Sequence, residues 1–352
     1  MRWMPVLAML CACGDSNERP DAATSHDAPV LDAQPDAPAD APVDADPNMP
    51  ATLMDTGLCV DAACTEIAAG IVPYTPRWEL WSDGATKRRW IYLPPGTQID
   101  TSDMDYWQFP VGTKLWKEFT RDGVRVETRL VMRIGAGNTS ADWFYMPYVW
   151  NQAQDQAVAE KFGVPDANGT EHDVPNQVQC KQCHDNLEPA RVLGFGALEL
   201  DYDNADDAQL DLSALVAGGL LTDPPTLAAA SYFPLPGTPA DQAALGYLHT
   251  NCGHCHNPNS KVTIDITPIK LRLAVGSLGT VQATPAYTTT VNVTGMTVDT
   301  LTTLVIPGDP DQSILTHRFE STNTSVRMPL LGTEIIDPTG TTILRDWVTN
   351  LP

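Results

Sequence analysis

Two short stretches carry most of the chemistry in this chain. They read Cys180-Lys181-Gln182-Cys183-His184 and Cys252-Gly253-His254-Cys255-His256, their first cysteines 72 positions apart. Each is a C-x-x-C-H pattern. Two thiols three positions apart can each add to one vinyl group of a single porphyrin, and the histidine that follows is then held beneath the iron. A zinc knuckle would need four ligands converging from one cluster, and a redox C-x-x-C pair needs no trailing histidine. The pattern therefore predicts two covalently attached heme c groups, with Cys180, Cys183, Cys252 and Cys255 as attachment points and His184 and His256 as iron ligands.

A sixth ligand for the second heme is readable in Arg327-Met328-Pro329-Leu330. A thioether is a soft ligand that raises the reduction potential of heme iron. Met328 stands just before the last helical segment, where such a ligand belongs. The sixth ligand of the first heme is not readable. His172 and Met146 are candidates, as is an open or water-filled position. His249, His254 and His317 read as surface or packing histidines. Trp81, Asp83, Lys87, Lys114 and Trp150 are candidate lining for a distal pocket.

The ends of the chain say where it works. Arg2 and the apolar run that follows resemble the start of an export signal, and Leu10-Cys11-Ala12-Cys13-Gly14 resembles a lipobox. Cys13 is the expected lipid-bearing residue, and Gly14 after it favours the outer membrane. Residues 14–52 form an Asp/Ala/Pro tether with too few large apolar side chains to order itself. The net charge is −23. Such an acidic chain argues against nucleic acid and anionic lipid as partners and suits a redox partner with a basic docking face. With Cys11 and Cys13 spent on the signal and four cysteines on heme, Cys59 and Cys64 remain, and an exported chain predicts a local disulfide between them.

The elements that must position these residues fall into two kinds. Residues 53–178 alternate apolar and polar with β-branched and aromatic residues between turn signals, which predicts a β-rich, sandwich-like domain. Residues 179–236 form a first heme segment. Residues 237–352 read as a mainly α cytochrome c-like domain carrying the second heme, with a β insert over 262–306. The expected class is α+β and multidomain. Thr238-Pro239-Ala240-Asp241 is a good helix start, with Leu245, Leu248 and Cys252 on one face. Further helices are expected from Asp309 through Phe319 and from Asp337 through Trp347, the last crossing the first at Gly246.

In this order the chain resembles a largely uncharacterised family of exported diheme c-type cytochromes, often lipoproteins. Besides the heme motifs, the resemblance rests on Leu80-Trp81-Ser82-Asp83-Gly84-Ala85 with Lys87, on Phe109-Pro110-Val111-Gly112-Thr113-Lys114, on Tyr148-Val149-Trp150-Asn151 and on Pro307-Gly308-Asp309-Pro310. It covers roughly residues 70–350 and implies two hemes and a redox function, without naming a substrate. Electron transfer is the leading reading. The alternatives are a peroxidase-like enzyme with the first heme as its catalytic centre, and a heme-based sensor or binding module.

Overall fold

The computed structural model describes residues 49–206, 208–228, 231–261 and 268–352. Cys13 and nearly all of the tether lie outside the described residues. Residues Asn48–Pro352 form one compact unit.

Six strands make a single antiparallel sheet in sequence order: β1 (Val72–Pro73), β2 (Thr86–Tyr92), β3 (Lys114–Arg121), β4 (Val124–Arg133), β5 (Trp143–Trp150) and β6 (Ala157–Ala159). Trp90, Trp116, Leu130 and Met146 stand opposite one another across four strands, and so do their neighbours Ile91, Leu115, Val131 and Tyr145. Successive side chains point to opposite faces of a strand, so the two rows face opposite ways. Each face has its own core. Trp90, Trp116, Leu130 and Met146 pack with Leu53, Leu58 and the bonded pair Cys59–Cys64. Ile91, Leu115 and Tyr145 pack with Cys180, Phe195, Leu200 and Leu215. Each large side chain buried in this way contributes roughly 1.5–3 kcal/mol.

This corrects the expected sandwich. Residues 49–71, mostly irregular chain, cover one face of the sheet, and short helices and loops of the second half cover the other. No second large sheet is present among the described residues. Alternation reports only that a strand is buried on a face, not what buries it.

The second half is likewise not a mainly α cytochrome c domain. Its helices are α1 (Gln177–His184), α2 (Ala197–Leu200), α3 (Leu212–Ala217), α4 (Pro239–Asn251), α5 (Pro285–Thr290), α6 (Ile314–Glu320) and α7 (Pro338–Asn350). Only α4 and α7 reach 13 residues, and long irregular connections join the rest. A small hairpin, β7 (Thr294–Val298) and β8 (Leu301–Thr303), sits within the expected insert. The helix expected from Asp309 is broken. A 3-10 turn over Pro310–Gln312 ends at Ser313, whose backbone is extended, before α6 begins.

Helix starts follow local chemistry. Thr238 and Asp241 close a capping box on α4, with Pro239 at the first helical position. Asp337 caps α7 through Thr339 N–H. The two helices meet where Tyr247 donates to Asp337 Oδ2 at 2.9 Å, and a side chain at Gly340 would collide with the Tyr247 ring. Gly246 serves another neighbour, because a side chain there would strike the Trp78 indole.

Candidate functional site

The first motif lies on α1. Val174-Pro175 marks the helix boundary: Asn176 Oδ1 accepts from Gln179 N–H, and Gln179 Oε1 accepts from Asn176 N–H, both at 2.9 Å. Gln177 ties the helix to β5 by donating to the Tyr145 carbonyl at 3.0 Å. The Tyr145 ring lies 4.9 Å from that of His184. His184 Nδ1 is 2.6 Å from the Arg191 carbonyl oxygen. A carbonyl only accepts, so Nδ1 carries the proton and Nε2 keeps its lone pair. Arg191 is itself fixed. It is fully buried, sits at φ +58°, and pairs with Asp185 and, at 3.3 Å, with Glu188.

The second motif leaves the C-terminal end of α4, with Cys252 as the cap residue. Gly253 is required there, because a Cβ would run into the His249 carbonyl oxygen and the Arg272 backbone. Burial pushes the pKa of all four motif thiols up, that of Cys180 to about 11. None of the four is in a disulfide.

The two motifs dock against each other. Asn257 donates to the Asn186 carbonyl at 3.0 Å, and Asn259 to the Glu188 carbonyl at 2.9 Å. Asn186 Oδ1 accepts from Lys261 N–H at 3.0 Å, and the Lys261 ammonium pairs with Glu188 at 2.7 Å. Residues just beyond His184 and His256 are thus stitched together, although distant in sequence.

A cavity of about 570 Å³ opens beside α1, with Cys180, Cys183, His184 and Met328 in its wall. The Met328 segment is held from both sides. Met328 N–H donates to the Arg318 carbonyl at 2.9 Å. Asp83 Oδ1 accepts from the N–H groups of Glu334 and Ile335 at 2.9 and 2.8 Å, and Trp81 Nε1 donates to the Ile335 carbonyl at 2.8 Å. Trp81 N–H in turn donates to Asn251 Oδ1 at 2.7 Å, at the end of α4.

Of the five residues expected to line a distal pocket, Trp81 and Asp83 do line this cavity. Lys87, Lys114 and Trp150 do not. Lys87 bonds the Ala85 carbonyl, Lys114 bonds the Thr56 carbonyl, and Trp150 bonds Thr128 while stacking under Arg125. His172 lines the cavity, with Nε2 2.7 Å from Glu127 Oε1. Met146 lies in the core on the other face of the sheet. His249 is buried: its Nδ1 accepts from Leu273 N–H, so Nε2 carries the proton toward Glu199, each at 3.0 Å. His254 lines the cavity, and His317 pairs with Asp299 near the surface.

One feature of the cavity wall lies beyond those readings. Arg89, Lys117 and Arg129 stand directly opposite one another on β2, β3 and β4. They share the sheet face that bears Leu115 and Phe119. Like charges in such register repel. Arg89 is answered by Glu79 at 3.1 Å and Arg129 by Glu127 at 2.9 Å. Burial first, and then Arg89 and Arg129 on either side, hold the Lys117 amine well below the ordinary lysine pKa. The sequence shows three basic residues in three strands, and only the register makes them a row.

Among the described residues no three His, Cys, Asp or Glu side chains converge as a chelated metal ion requires, and no helix is long and apolar enough to cross a membrane. No protein family, curated protein or solved structure matches the chain.

Proposed function

We propose that the protein is a diheme c-type cytochrome that passes electrons between partner proteins of the cell envelope, exported and tethered through a lipid on Cys13. The observation that carries this reading is the docking of the two C-x-x-C-H motifs, whose following loops are stitched through Asn186 and Asn257. Two groups pinned to adjoining loops lie close enough in one chain to exchange electrons.

The residues around the first motif fit such a group. Cys180 and Cys183 are free thiols in the wall of a cavity that is aromatic and aliphatic over much of its surface, including Tyr74, Leu115, Phe119 and Val131. The His184 tautomer set by the Arg191 carbonyl leaves the nitrogen a metal would take. Porphyrin attachment through thioethers does not require the convergent ligand cluster that a zinc knuckle does. Cys180, Cys183 and His184 would hold one heme and Cys252, Cys255 and His256 the other; Met328, in the wall of the first motif's cavity but on a segment tied to the end of α4, would serve the second iron. Heme iron supplies a one-electron ferric/ferrous couple, and the axial ligands and burial set its potential. The chain contributes position, partial burial of the motifs, and an acidic exterior suited to a basic partner.

The test is a count of covalent heme on denatured protein purified from a cytochrome c-maturing host, with potentiometry on the folded sample. Two hemes per chain and two one-electron waves are expected. A chain that retains no heme after denaturation overturns the reading.

A further inference from the structure

We propose that the Lys117 amine is the sixth ligand of the iron carried by Cys180, Cys183 and His184. This rests on the diheme reading above and assigns the position that sequence left blank.

His254 also lines the cavity, but it sits between the two thiols of the second motif, and the remaining candidates have contacts of their own. His172 has its Nε2 on Glu127, a buried carboxylate that also receives Arg129. Met146 is in the core behind the sheet. Met328 lies in the wall of the same cavity, but its segment is tied to α6 through Arg318 and to the end of α4, from which the second motif leaves, through Trp81 and Asn251.

Lys117 is placed differently. It lies on β3, a central strand whose backbone is paired on both sides, so its Cα position is fixed. It lines the cavity that contains Cys180, Cys183 and His184. It also lines a smaller one beside it, together with Arg89 and His254. Among the described residues no hydrogen bond or ion pair ends on its amine. Its in-register neighbours Arg89 and Arg129 each have a carboxylate, and Lys117 between them has none. An ammonium held there would be repelled from two sides, with only Glu79, beyond ion-pair reach, to offset it. An amine whose lone pair is given to iron avoids that cost. The sheet thus presents one uncommitted nitrogen donor toward the space beside His184.

The assignment has a redox consequence. A nitrogen donor opposite His184 leaves the first iron without the potential-raising thioether that Met328 would give the second. The first heme should then be the harder of the two to reduce, and electrons should settle on the second.

The experiment is EPR and near-infrared magnetic circular dichroism of the oxidised holoprotein, with heme counted on the same samples, for wild type, Lys117→Ala and Lys117→Gln. The expected result is two low-spin hemes in wild type, one with an amine-type charge-transfer band. In both variants that heme turns high-spin and returns to low spin on adding imidazole, while the other heme is unchanged. Two hemes per chain in the variants show that they have folded and matured. Unchanged low-spin signals in both variants overturn the assignment; a lowered potential without a spin change would mean that Lys117 faces a heme propionate. A high-spin first heme in wild type overturns it as well and moves a redox-enzyme reading ahead. Fewer than two hemes in wild type defeats the diheme reading itself.

Discussion

The side chain of Asn257 donates to the backbone carbonyl of Asn186 at 3.0 Å, joining the residue after His256 to a loop two residues beyond His184. The same amide also donates to the carbonyls of Gly253 and His254, at 3.0 and 2.9 Å. One fully buried asparagine therefore closes its own turn and fastens it to the other motif.

Removing that amide leaves three carbonyls with less than they had in the folded chain. A buried group left unsatisfied costs about 1–3 kcal/mol. Asn257→Ala should lower the unfolding free energy by about 2–4 kcal/mol, read from denaturant titration of the holoprotein. A loss below about 0.5 kcal/mol, the size of an ordinary surface substitution, would show that the motifs do not depend on this junction.

Asp83 should matter to the methionine segment and not to the first motif. Its carboxylate receives two backbone N–H groups, from Glu334 and Ile335. Hydrogen bonds to charged groups contribute about 1.5–3 kcal/mol each. Asp83→Ala should free the segment that carries Met328, so the methionine-ligated spectrum of the second heme weakens and its loop becomes protease-sensitive. Met328→Ala should abolish that spectrum outright. If Asp83→Ala leaves both spectrum and cleavage unchanged, the loop is held by other contacts.

Acid should act through Glu199 and His249. Burial alone would raise the Glu199 pKa, but His249 and Arg272 outweigh it and bring the carboxyl down to about 2. Its folded value is below its unfolded one, so its contribution is complete above the ordinary value of 4.5 and is lost as pH falls toward 2. Burial lowers the His249 pKa from 6.5. A histidine that folds neutral contributes fully above 6.5 and loses that contribution as pH falls below it. Stability should therefore decline on acidification from about pH 6.5. Glu199→Gln should flatten the part below about pH 4.5, as measured by chemical denaturation across that range. An unchanged slope would remove this cluster from the acid response.

Cys13→Ser should move the protein from the membrane to the soluble fraction of the cell envelope while its heme spectra stay as they were. Retention at the membrane would place the anchor elsewhere.

Much of this site could be read before the fold was known, because its chemistry is local. The C-x-x-C-H motifs need only five residues each, and the capping signal at Thr238 needs four. Cys59 and Cys64, the two cysteines left over, are bonded. What could not be read is what depends on partners far along the chain. Strand alternation in 86–150 is the same whether irregular chain or a second sheet covers the face, so it does not specify a sandwich. The row of Arg89, Lys117 and Arg129 is set by hydrogen-bond register, which no spacing within one strand encodes. Asp83 looked like pocket lining, and it also grips a loop some 250 residues away.

The sheet also governs how this molecule meets its own kind. An open strand edge is a template on which another chain can add. Here both edges are closed. At β1, Pro73 has no N–H to offer, and its carbonyl already accepts from Leu210 N–H at 2.8 Å. At β6, Leu53 N–H donates to the Ala157 carbonyl and Ala159 N–H to the Ala51 carbonyl, at 2.9 and 3.0 Å. The few residues at the start of the compact unit thus act as a selvedge. Trimming the chain past Leu53 would bare the Ala157–Ala159 ladder and invite strand-by-strand oligomers, a fate set by backbone hydrogen bonds and independent of any cofactor.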